Sequence, residues 1–454
     1  MTTFKQTLRT LGISSCLLLV ASTVGGIVNA ADSTQDQIDA LQDAVGKLKQ
    51  SVNKMGGDTA RCKIKSKAFM TLECSKFTAK IFGRIHFDST WYDDDVTAMG
   101  SGTEFRRARI GMKGKMYKNW GYKMEMDLAD NAVSTKDLYV EYLGLKKKFH
   151  RMRVWVGNHK IPFSLEEMTS SKYQNFQERA FTDDIQWIPG RAEGIGVSFN
   201  GKNWNFSTAV HGEHVAVGDD DETDEGWGVA GRLTVAPVYD KKANHFVHTG
   251  ISVRRWQKQG DNASFIDFDD QPHSHQTTVN FLNTGAIAFV DNYTVVGPEL
   301  AFGHGPFGMQ AEYFQIDVNR ETNDDLNFSA GYVEGWYYLT GEGRSYKPKT
   351  GIFGRIKPKK NLSDGGLGAL GLAVRYTAAN MTDSDIQGGG QHTWTGAVNW
   401  HANPYVVMRA EYIKVMADND AVNGGDEPSI FQIRMQKRFP LRNTTISGSQ
   451  RQTC

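Results

Sequence analysis

Residues 81–87 read IFGRIHF, and this short stretch carries the pattern that decides the fold. Arg84 and His86 alternate with apolar residues, so the segment has one apolar and one polar face. Successive side chains of a β-strand point to opposite sides, and a period of two therefore predicts a strand. The same alternation returns in residues 107–116, 122–128, 151–156, 195–199, 204–210, 227–235, 247–254, 370–376 and 431–439.

The composition fits a β protein and excludes several other classes. A mean hydropathy of −0.47 with 39% hydrophobic residues is too polar for a bundle of membrane helices. Aromatic residues make up 11% of the 454 residues and Gly outnumbers Pro by 47 to 11, which is typical of strands and turns. The 52 Lys and Arg nearly balance the 51 Asp and Glu, so the net charge of +1 does not indicate a nucleic-acid partner. Collagen, a helical transporter and a disordered chain are excluded.

The N-terminal segment predicts export. Residues 1–30 have a positively charged start, an apolar core and a small-residue cleavage site near Ala30, which are the parts of a signal peptide. The alternative is a membrane anchor that stays in the mature protein. Export leads to an oxidising compartment, so we expect a disulfide between Cys62 and Cys74, with a metal-binding pair as the alternative.

A helix is predicted between the signal peptide and the strands. Residues 31–57 carry apolar residues at alternating spacings of three and four, which form the seam of a coiled coil. A helix this short is marginal alone, so it implies self-association or docking on something larger, such as peptidoglycan; the alternative is a helix lying on the chain's own surface. Residues 58–77 are a linker, and residues 440–454 are a polar C-terminal extension.

Two all-β folds explain the alternation of the strands. A soluble sandwich turns its apolar faces inward, whereas a transmembrane barrel turns them to lipid and encloses the polar faces. The barrel is favoured because the segments are about ten residues long, carry several charges on the polar face and end in aromatics. We therefore predict an all-β fold, a transmembrane antiparallel β-barrel of about 16 strands with a water-filled lumen, over residues 78–439. Short turns are expected at 118–119 and 201–203, and long outer loops near 93–103, 217–226, 258–277, 319–327 and 380–392.

The charges are separated along this predicted barrel. Basic side chains concentrate on the polar face of the strands, and acids cluster in the loops. A lumen lined by one sign of charge attracts counter-ions, and cationic rings favour anions. The alternative is that these charges only keep the wall hydrated and pair with Glu125, Asp127 and Glu141. The candidate pore-lining residues are Arg84, Arg107, Arg109, Lys113, Arg153, Arg232 and Arg375.

One long segment lacks the period of two. Residues 160–191 contain mixed charge, aromatics and the prolines Pro162 and Pro189. The segment is too long for a turn and too aromatic for a disordered loop, so we predict a loop that folds into the lumen and narrows it. The alternative is a loop on the outer surface.

Three blocks of sequence carry a family resemblance. Residues 105–114 read FRRARIGMKG, residues 160–191 contain TSSK and QERA, and residues 331–358 contain GYVEGWYYLTGE, SYK and RIKP. In this order the blocks resemble the phosphate-selective porin O and P family, with similarity over residues 78–439. The resemblance implies a sixteen-stranded barrel in the bacterial outer membrane, usually trimeric, that conducts anions and often phosphate or pyrophosphate.

Several residues match that family's motifs. By motif, Arg84, Arg106 and Arg107 correspond to arginines that face the pore, and Lys347 and Lys357 correspond to lysines of an electropositive sink. Strict alternation from Arg107 would turn Arg106 outward, so both face the lumen only if a β-bulge lies beside them.

The sequence also departs from the family pattern. Glu166 and Glu167 stand where phosphate-specific members carry a lysine, so the resemblance implies anion selectivity more directly than phosphate specificity. An aspartate of the constriction aligns with either Lys136 or Asp137. The family ends on an aromatic residue, which corresponds to Phe439 here.

The sequence thus predicts passive diffusion of small anions, such as phosphate, through a trimeric pore in outer-membrane lipid. The alternatives are a general porin, or a structural protein that tethers the envelope through residues 31–57. A hydrolase is less favoured, because the chain contains no GxSxG or HExxH motif. No cofactor, metal, catalytic residue or nucleic-acid partner is expected. The histidines at metal-like spacing are predicted to lie at the surface: His211 and His214 near Glu213, and His273 with His275.

Overall fold

The computed structural model contains a closed β-barrel. The described residues are 71–147, 149–181, 190–212, 226–258, 266–421 and 424–439, with the backbone of 63–65 and the isolated residues Asp43, Gly46 and Lys47. Within them sixteen antiparallel strands form the barrel, in which each strand pairs with the next and the last pairs with the first. The strands are β1 (Phe77–Asp93), β2 (Gly102–Met116), β3 (Trp120–Asp127), β4 (Ser134–Tyr142), β5 (Arg153–Lys160), β6 (Arg191–Asn200), β7 (Trp204–His211), β8 (Trp227–Asp240), β9 (His245–Gln257), β10 (Val290–His304), β11 (Phe307–Arg320), β12 (Leu326–Tyr338), β13 (Ala369–Asp383), β14 (Ile386–Asn403), β15 (Val406–Ala417) and β16 (Ser429–Phe439). The prediction of an all-β barrel of about 16 strands is confirmed.

Short elements complete the described structure. They are the strands Lys63–Lys65, Thr71–Glu73, Asp269–Asp270, Leu282–Asn283, Tyr346–Lys347 and Ile352–Phe353, the α-helix α1 (Leu165–Met168), and the 3₁₀ helices Ala129–Asn131, Gly144–Lys147, Ser171–Tyr173 and Leu362–Asp364. In the part of the chain that the structure describes, no helix combines the length and the apolar character needed to cross a membrane.

Side chains alternate between the two sides of the sheet in the sense that a membrane barrel requires. Ile110 of β2 and Val156 of β5 point outward, and each is 46% exposed. Arg84 of β1 and Arg232 of β8 point inward and are only 4% and 2% exposed. A soluble sandwich would bury the apolar set, so an outer face of aliphatic residues around a charged interior indicates a wall built for lipid.

A β-bulge interrupts the pairing of β1 with β2. His86 lies opposite Arg107, but Asp88 lies opposite Glu104, so Phe105 and Arg106 share one position of the partner strand. The bulge that the adjacent arginines require is therefore present. It lets the side chains of Arg106 and Arg107 both reach the interior, where they contact the same carboxylate.

The two rims of the barrel differ. The rim at the end of β16 carries the short connections 117–119, 201–203 and 305–306, which include both predicted turns, and also one long connection, residues 339–368. At the opposite rim, long stretches of sequence separate the strand ends Lys160 and Arg191, His211 and Trp227, and Gln257 and Val290. The expected loop at 380–392 is wrong, because β13 and β14 meet in a two-residue turn at 384–385. β13 and β14 extend into the polar stretch 380–392, and the polar composition of these strand ends is the reason why the sequence suggested a loop there.

Described residues of three connections lie inside the barrel and fill one side of it. We call residues 161–190 the inner loop, of which residues 161–181 and Gly190 are described, and residues 339–368 the re-entrant segment. Phe163 of the inner loop packs in one apolar cluster with Phe268 of the connection 258–289 and with inward residues of β9 to β13. The re-entrant segment contributes a second cluster around Phe353, beside Trp336 of β12. This packing leaves the space against β1 to β6 for a cavity.

Predictions for the two ends of the chain fall largely outside the described residues. This applies to the signal peptide of residues 1–30, to the extension 440–454 and to Cys62. Cys74 is disulfide-bonded in the structure. Of the predicted coiled coil over residues 31–57, the described residues include Asp43 and Lys47, which are helical and form an ion pair at 2.6 Å.

Candidate functional site in the lumen

One carboxylate holds the inner loop to the wall near the bulge. The two oxygens of Glu178 accept hydrogen bonds from Arg106 and Arg107 of β2, with Nε of Arg106 at 3.1 Å. A third guanidinium, that of Arg434 on β16, lies 2.5 Å from Glu178. Burial acts against ionisation, but these three cations hold the pKa of the Glu178 carboxyl well below its usual range.

The opposite wall holds the start of helix α1. The carboxylate of Glu312 on β11 accepts hydrogen bonds from the backbone N–H groups of Leu165 at 2.6 Å and Glu166 at 2.8 Å. Ser164 caps the helix, and its hydroxyl accepts a hydrogen bond from the N–H of Glu167 at 3.1 Å. Free N–H groups at a helix start need hydrogen-bond acceptors, and Glu312 supplies both oxygens, so it fixes this end of the loop.

Between these two points the inner loop crosses the lumen. The N–H of Gln177 donates to Glu411 of β15 at 2.6 Å, and Arg409 of the same strand donates to the carbonyl of Gln174 at 2.7 Å. Because β2, β11, β15 and β16 lie around the barrel, these contacts place the loop across the interior.

A basic cavity of about 190 Å³ lies between the inner loop and strands β1 to β6. Its lining is Arg84, Arg107, Arg109, Lys123, Glu125, Asp137, Lys160, Met168, Ser170, Ser171, Lys172, Arg179 and Arg191, and we call it the constriction cavity. Eight of these residues are basic and two are acidic. A cavity with this excess of cations attracts anions.

The two acids of the constriction cavity orient its cations. Asp137 accepts hydrogen bonds from Lys123 and from Arg191, the latter at 3.2 Å. Glu125 lies 2.9 Å from Lys123 and 3.5 Å from Arg84. Each of these acids is thus shared by two bases. Three acids outside the lining pair with four more of its bases: Asp127 with Arg109, Glu167 with Lys160 and Arg179, and Glu178 with Arg107. The eight bases therefore outnumber the five acids that contact them, and Lys172 forms no ion pair with any described residue.

Lys172 extends from the inner loop into the same cavity. Burial and the neighbouring Arg84 lower the pKa of the Lys172 ammonium well below its usual range. Such crowding of like charges is relieved when an anion binds among them. Arginine forks, lysine ammonium groups and the hydroxyls of Ser170 and Ser171 can all donate hydrogen bonds to an oxyanion.

The structure brings some of the predicted pore residues together. Arg84, Arg107 and Arg109 line the constriction cavity. Lys113 lies beside it, exposed to the lumen, with its ammonium over the ring of Phe82.

Other predicted residues lie elsewhere. Three are in ion pairs: Arg153 with Glu141 at 3.4 Å, Arg232 with Glu299 at 2.7 Å and Arg375 with Glu166 at 3.6 Å. Lys347 and Lys357 are exposed on the re-entrant segment. The position of these two lysines could not be predicted from the alternation of polar and apolar residues, because they lie on a segment that folds back from the rim and not on a strand of the barrel.

Several residues of the constriction cavity were not among the pore-lining candidates. Lys123 lies on the inward phase of β3, so the period of two could have identified it. Asp137 of β4 was one of the two positions with which the family's constriction aspartate aligns, and it is the one that lines the cavity. Lys160 and Arg191 are the strand residues on either side of the inner loop. Lys172 gave no periodic signal and belongs to the TSSK block.

The prediction of surface histidines is wrong for two of them. His211 and His273 are buried inside the barrel, at 2% and 3% exposure. They lie on the inward face of β7 and under the inner loop, where Nε2 of His273 is 3.0 Å from the carbonyl of Ala180. Glu213 and His214 lie outside the described residues, and no cluster of the described side chains could hold a metal ion.

Comparison with known proteins agrees with this geometry. The sequence profile of the family described as phosphate-selective porin O and P matches residues 79–439. A protein of Caulobacter vibrioides, described only as uncharacterized, is 31% identical over 349 residues, which are 74% of this chain and 68% of that protein. Porin O of Pseudomonas aeruginosa is 25% identical over 409 residues, which are 80% of this chain and 89% of that porin.

Solved structures show the same fold at low sequence identity. An anion-selective porin from Comamonas acidovorans aligns with a TM-score of 0.52 and 11% identity, over 80% of this chain and 100% of that one. Outer-membrane expressed OmpT of Vibrio cholerae aligns with a TM-score of 0.51 and 12% identity, over 81% and 100%. Because the family profile matches residues 79–439, which span the sixteen-stranded barrel, this protein belongs to the phosphate-selective porin O and P family and is a channel of the bacterial outer membrane, not an enzyme.

Proposed function

We propose that this porin lets small anions, with phosphate among them, diffuse passively through the constriction cavity. The observation that carries the proposal is the lining of that cavity, where eight basic residues face two acids. In a lumen with low-dielectric walls, such an excess concentrates anions and repels cations. Arg84, Arg107, Arg109 and Lys113 are proposed to lie along the ion path.

Planar bilayers test this proposal. In a gradient of potassium chloride, the reversal potential of purified porin is expected to have the sign of an anion-selective channel. Phosphate added to a constant chloride background is expected to reduce the chloride current, because it occupies the same donors. Cation preference in the gradient contradicts the proposal, and chloride current insensitive to phosphate removes phosphate from it.

A matched pair of variants locates the selectivity. Lys172→Gln removes one cation from the constriction cavity, and Lys242→Gln removes one from an exposed turn outside the lumen. We expect the first variant to move the reversal potential toward the cation side and the second to leave it unchanged. Equal behaviour of the two would place the selectivity elsewhere.

We further propose that the porin assembles as a homotrimer in outer-membrane lipid. Membership of the family supports this proposal, and the apolar outer face of the barrel fits either lipid or a second copy. Electrophoresis of unheated and heated protein, together with light scattering in detergent, measures the number of chains. A monomer in the unheated sample and in light scattering contradicts the proposed trimer.

A further inference from the structure

The inner wall of the barrel carries a phenylalanine among its charged residues. Phe82 of β1 points inward, is 7% exposed and lies opposite Gly111 of β2. A Cβ atom at Gly111 would lie 2.7 Å from the ring, so only glycine leaves room for it. The ring therefore rests on the backbone of β2 and turns its face to the lumen.

Three lysines from three different elements surround this ring. The ammonium nitrogens of Lys113, Lys123 and Lys172 lie 5.3, 5.6 and 5.7 Å from the centre of the Phe82 ring. Lys113 comes from β2, Lys123 from β3 and Lys172 from the inner loop. These distances are within the range in which a cation is attracted to the face of an aromatic ring.

Carboxylates account for only one of these three cations. Lys123 pairs with Glu125 and Asp137, but neither Lys113 nor Lys172 forms an ion pair with any residue that the structure describes. A carboxylate placed among the three would hold them and also cancel one charge. The negative face of an aromatic ring attracts cations and adds no formal charge.

We propose that Phe82 is a positioning residue for anion selectivity, because its ring holds three lysine ammonium groups beside the constriction cavity without neutralising them. The inference rests on the proposed function, since it explains how the same cavity keeps its excess positive charge. Lys123 and Lys172 belong to the lining of that cavity, and Phe82 acts on a passing anion only through the lysines.

Fluorination of the ring tests this role with little change of shape. Replacing Phe82 by phenylalanine with one, two or three ring fluorines weakens the negative face step by step. We expect the anion-to-cation permeability ratio and the apparent affinity for phosphate to fall with each fluorine, by about two- to fivefold over the series. The same substitutions at Phe431, an outward ring of β16, are the control and are expected to change neither quantity.

Two ordinary variants complement the series. Phe82→Leu keeps an apolar side chain but removes the ring, and is expected to lower selectivity as much as full fluorination does. Phe82→Tyr keeps the face of the aromatic ring, so its anion selectivity is expected to equal that of the wild type. Packing alone would make the leucine variant unfold at lower temperature while leaving the slope across the fluorine series at zero.

The outcomes separate this inference from the proposed function. The sign of the wild-type reversal potential reports on the proposed function, whereas the slope with fluorination reports on Phe82. An anion-selective wild type with a flat fluorine series overturns the inference alone. A cation-selective wild type overturns the proposed function, and the slope still decides whether the ring holds the lysines.

Discussion

Replacement of Glu178 by glutamine tests how the inner loop is held across the lumen. Glu178 is the carboxylate that Arg106, Arg107 and Arg434 share. The amide of glutamine keeps the size of the side chain but has no charge, and it accepts hydrogen bonds at one atom instead of two. We expect the loop to loosen while the barrel wall stays closed.

The size of the effect follows from the partners that remain. Removing one member of a buried ion pair costs about 3–5 kcal/mol of folding free energy, because a charge stays buried without compensation. Arg434 keeps Asp88, whose oxygen lies 2.5 Å away, and the side chain of Arg106 is 12% exposed. We therefore expect the lower end, about 3 kcal/mol.

Two measurements detect this change. The temperature at which the folded band disappears on electrophoresis should fall, and single-channel currents should become noisier as the loop moves. The anion-to-cation permeability ratio should rise, because the lumen gains one unit of positive charge. The control is Glu321→Gln, which removes a half-exposed partner of Lys258 at the rim and should cost less than about 1 kcal/mol. If Glu178→Gln matched this control in unfolding temperature and current noise, Glu178 would not anchor the loop.

Three further predictions concern other parts of the lumen. Burial raises the pKa of Glu166 to about 7, so this carboxyl gains negative charge as the pH rises past neutrality. In chloride, anion preference should therefore fall as the pH rises from about 6 to about 8, and Glu166→Gln should make that fall smaller. Gly351→Ala should loosen the re-entrant segment and lower the unfolding temperature, because its φ is +56° and the new Cβ would lie 2.5 Å from Thr234; backbone strain alone costs roughly 1–2 kcal/mol. Arg106→Gln should lower the unfolding temperature and change the reversal potential less than Lys172→Gln does, because Glu178 and not the cavity is the partner of Arg106.

The wall of the barrel could be predicted from the sequence because alternation is a local property. Each strand shows which side chains share a face within a few residues, and the sense of the polarity distinguishes a membrane barrel from a sandwich. Arg84, Arg107 and Arg109 were found in this way. The bulge beside Arg106 also followed, since two adjacent arginines on one face are incompatible with strict alternation.

Contacts of the inward segments could not be predicted in the same way. Glu178 meets Arg434 across 256 positions of the chain, and no periodicity links a loop to the strand it contacts. The re-entrant segment was recognised as a block of similar sequence, but its return into the barrel depends on packing between Phe353 and Trp336. The two buried histidines were misplaced for the same reason, because loops that fold inward cover residues that strand ends would otherwise expose.

The basic residues of the lumen have two different roles, and the group that each one contacts distinguishes these roles. Arginines that bind the inner loop, such as Arg106 and Arg434, have a carboxylate within 3.1 Å, so their charge contributes to the shape of the pore. Lys113 and Lys172 have an aromatic ring instead, so their charge remains available to an anion. A pore that paired all its cations would be rigid and unselective, whereas one that paired none would lose its loop to repulsion. Selective passage therefore requires two arrangements in one lumen. Carboxylates neutralise the arginines that hold the inner loop, and the aromatic ring of Phe82 holds lysines beside the constriction cavity.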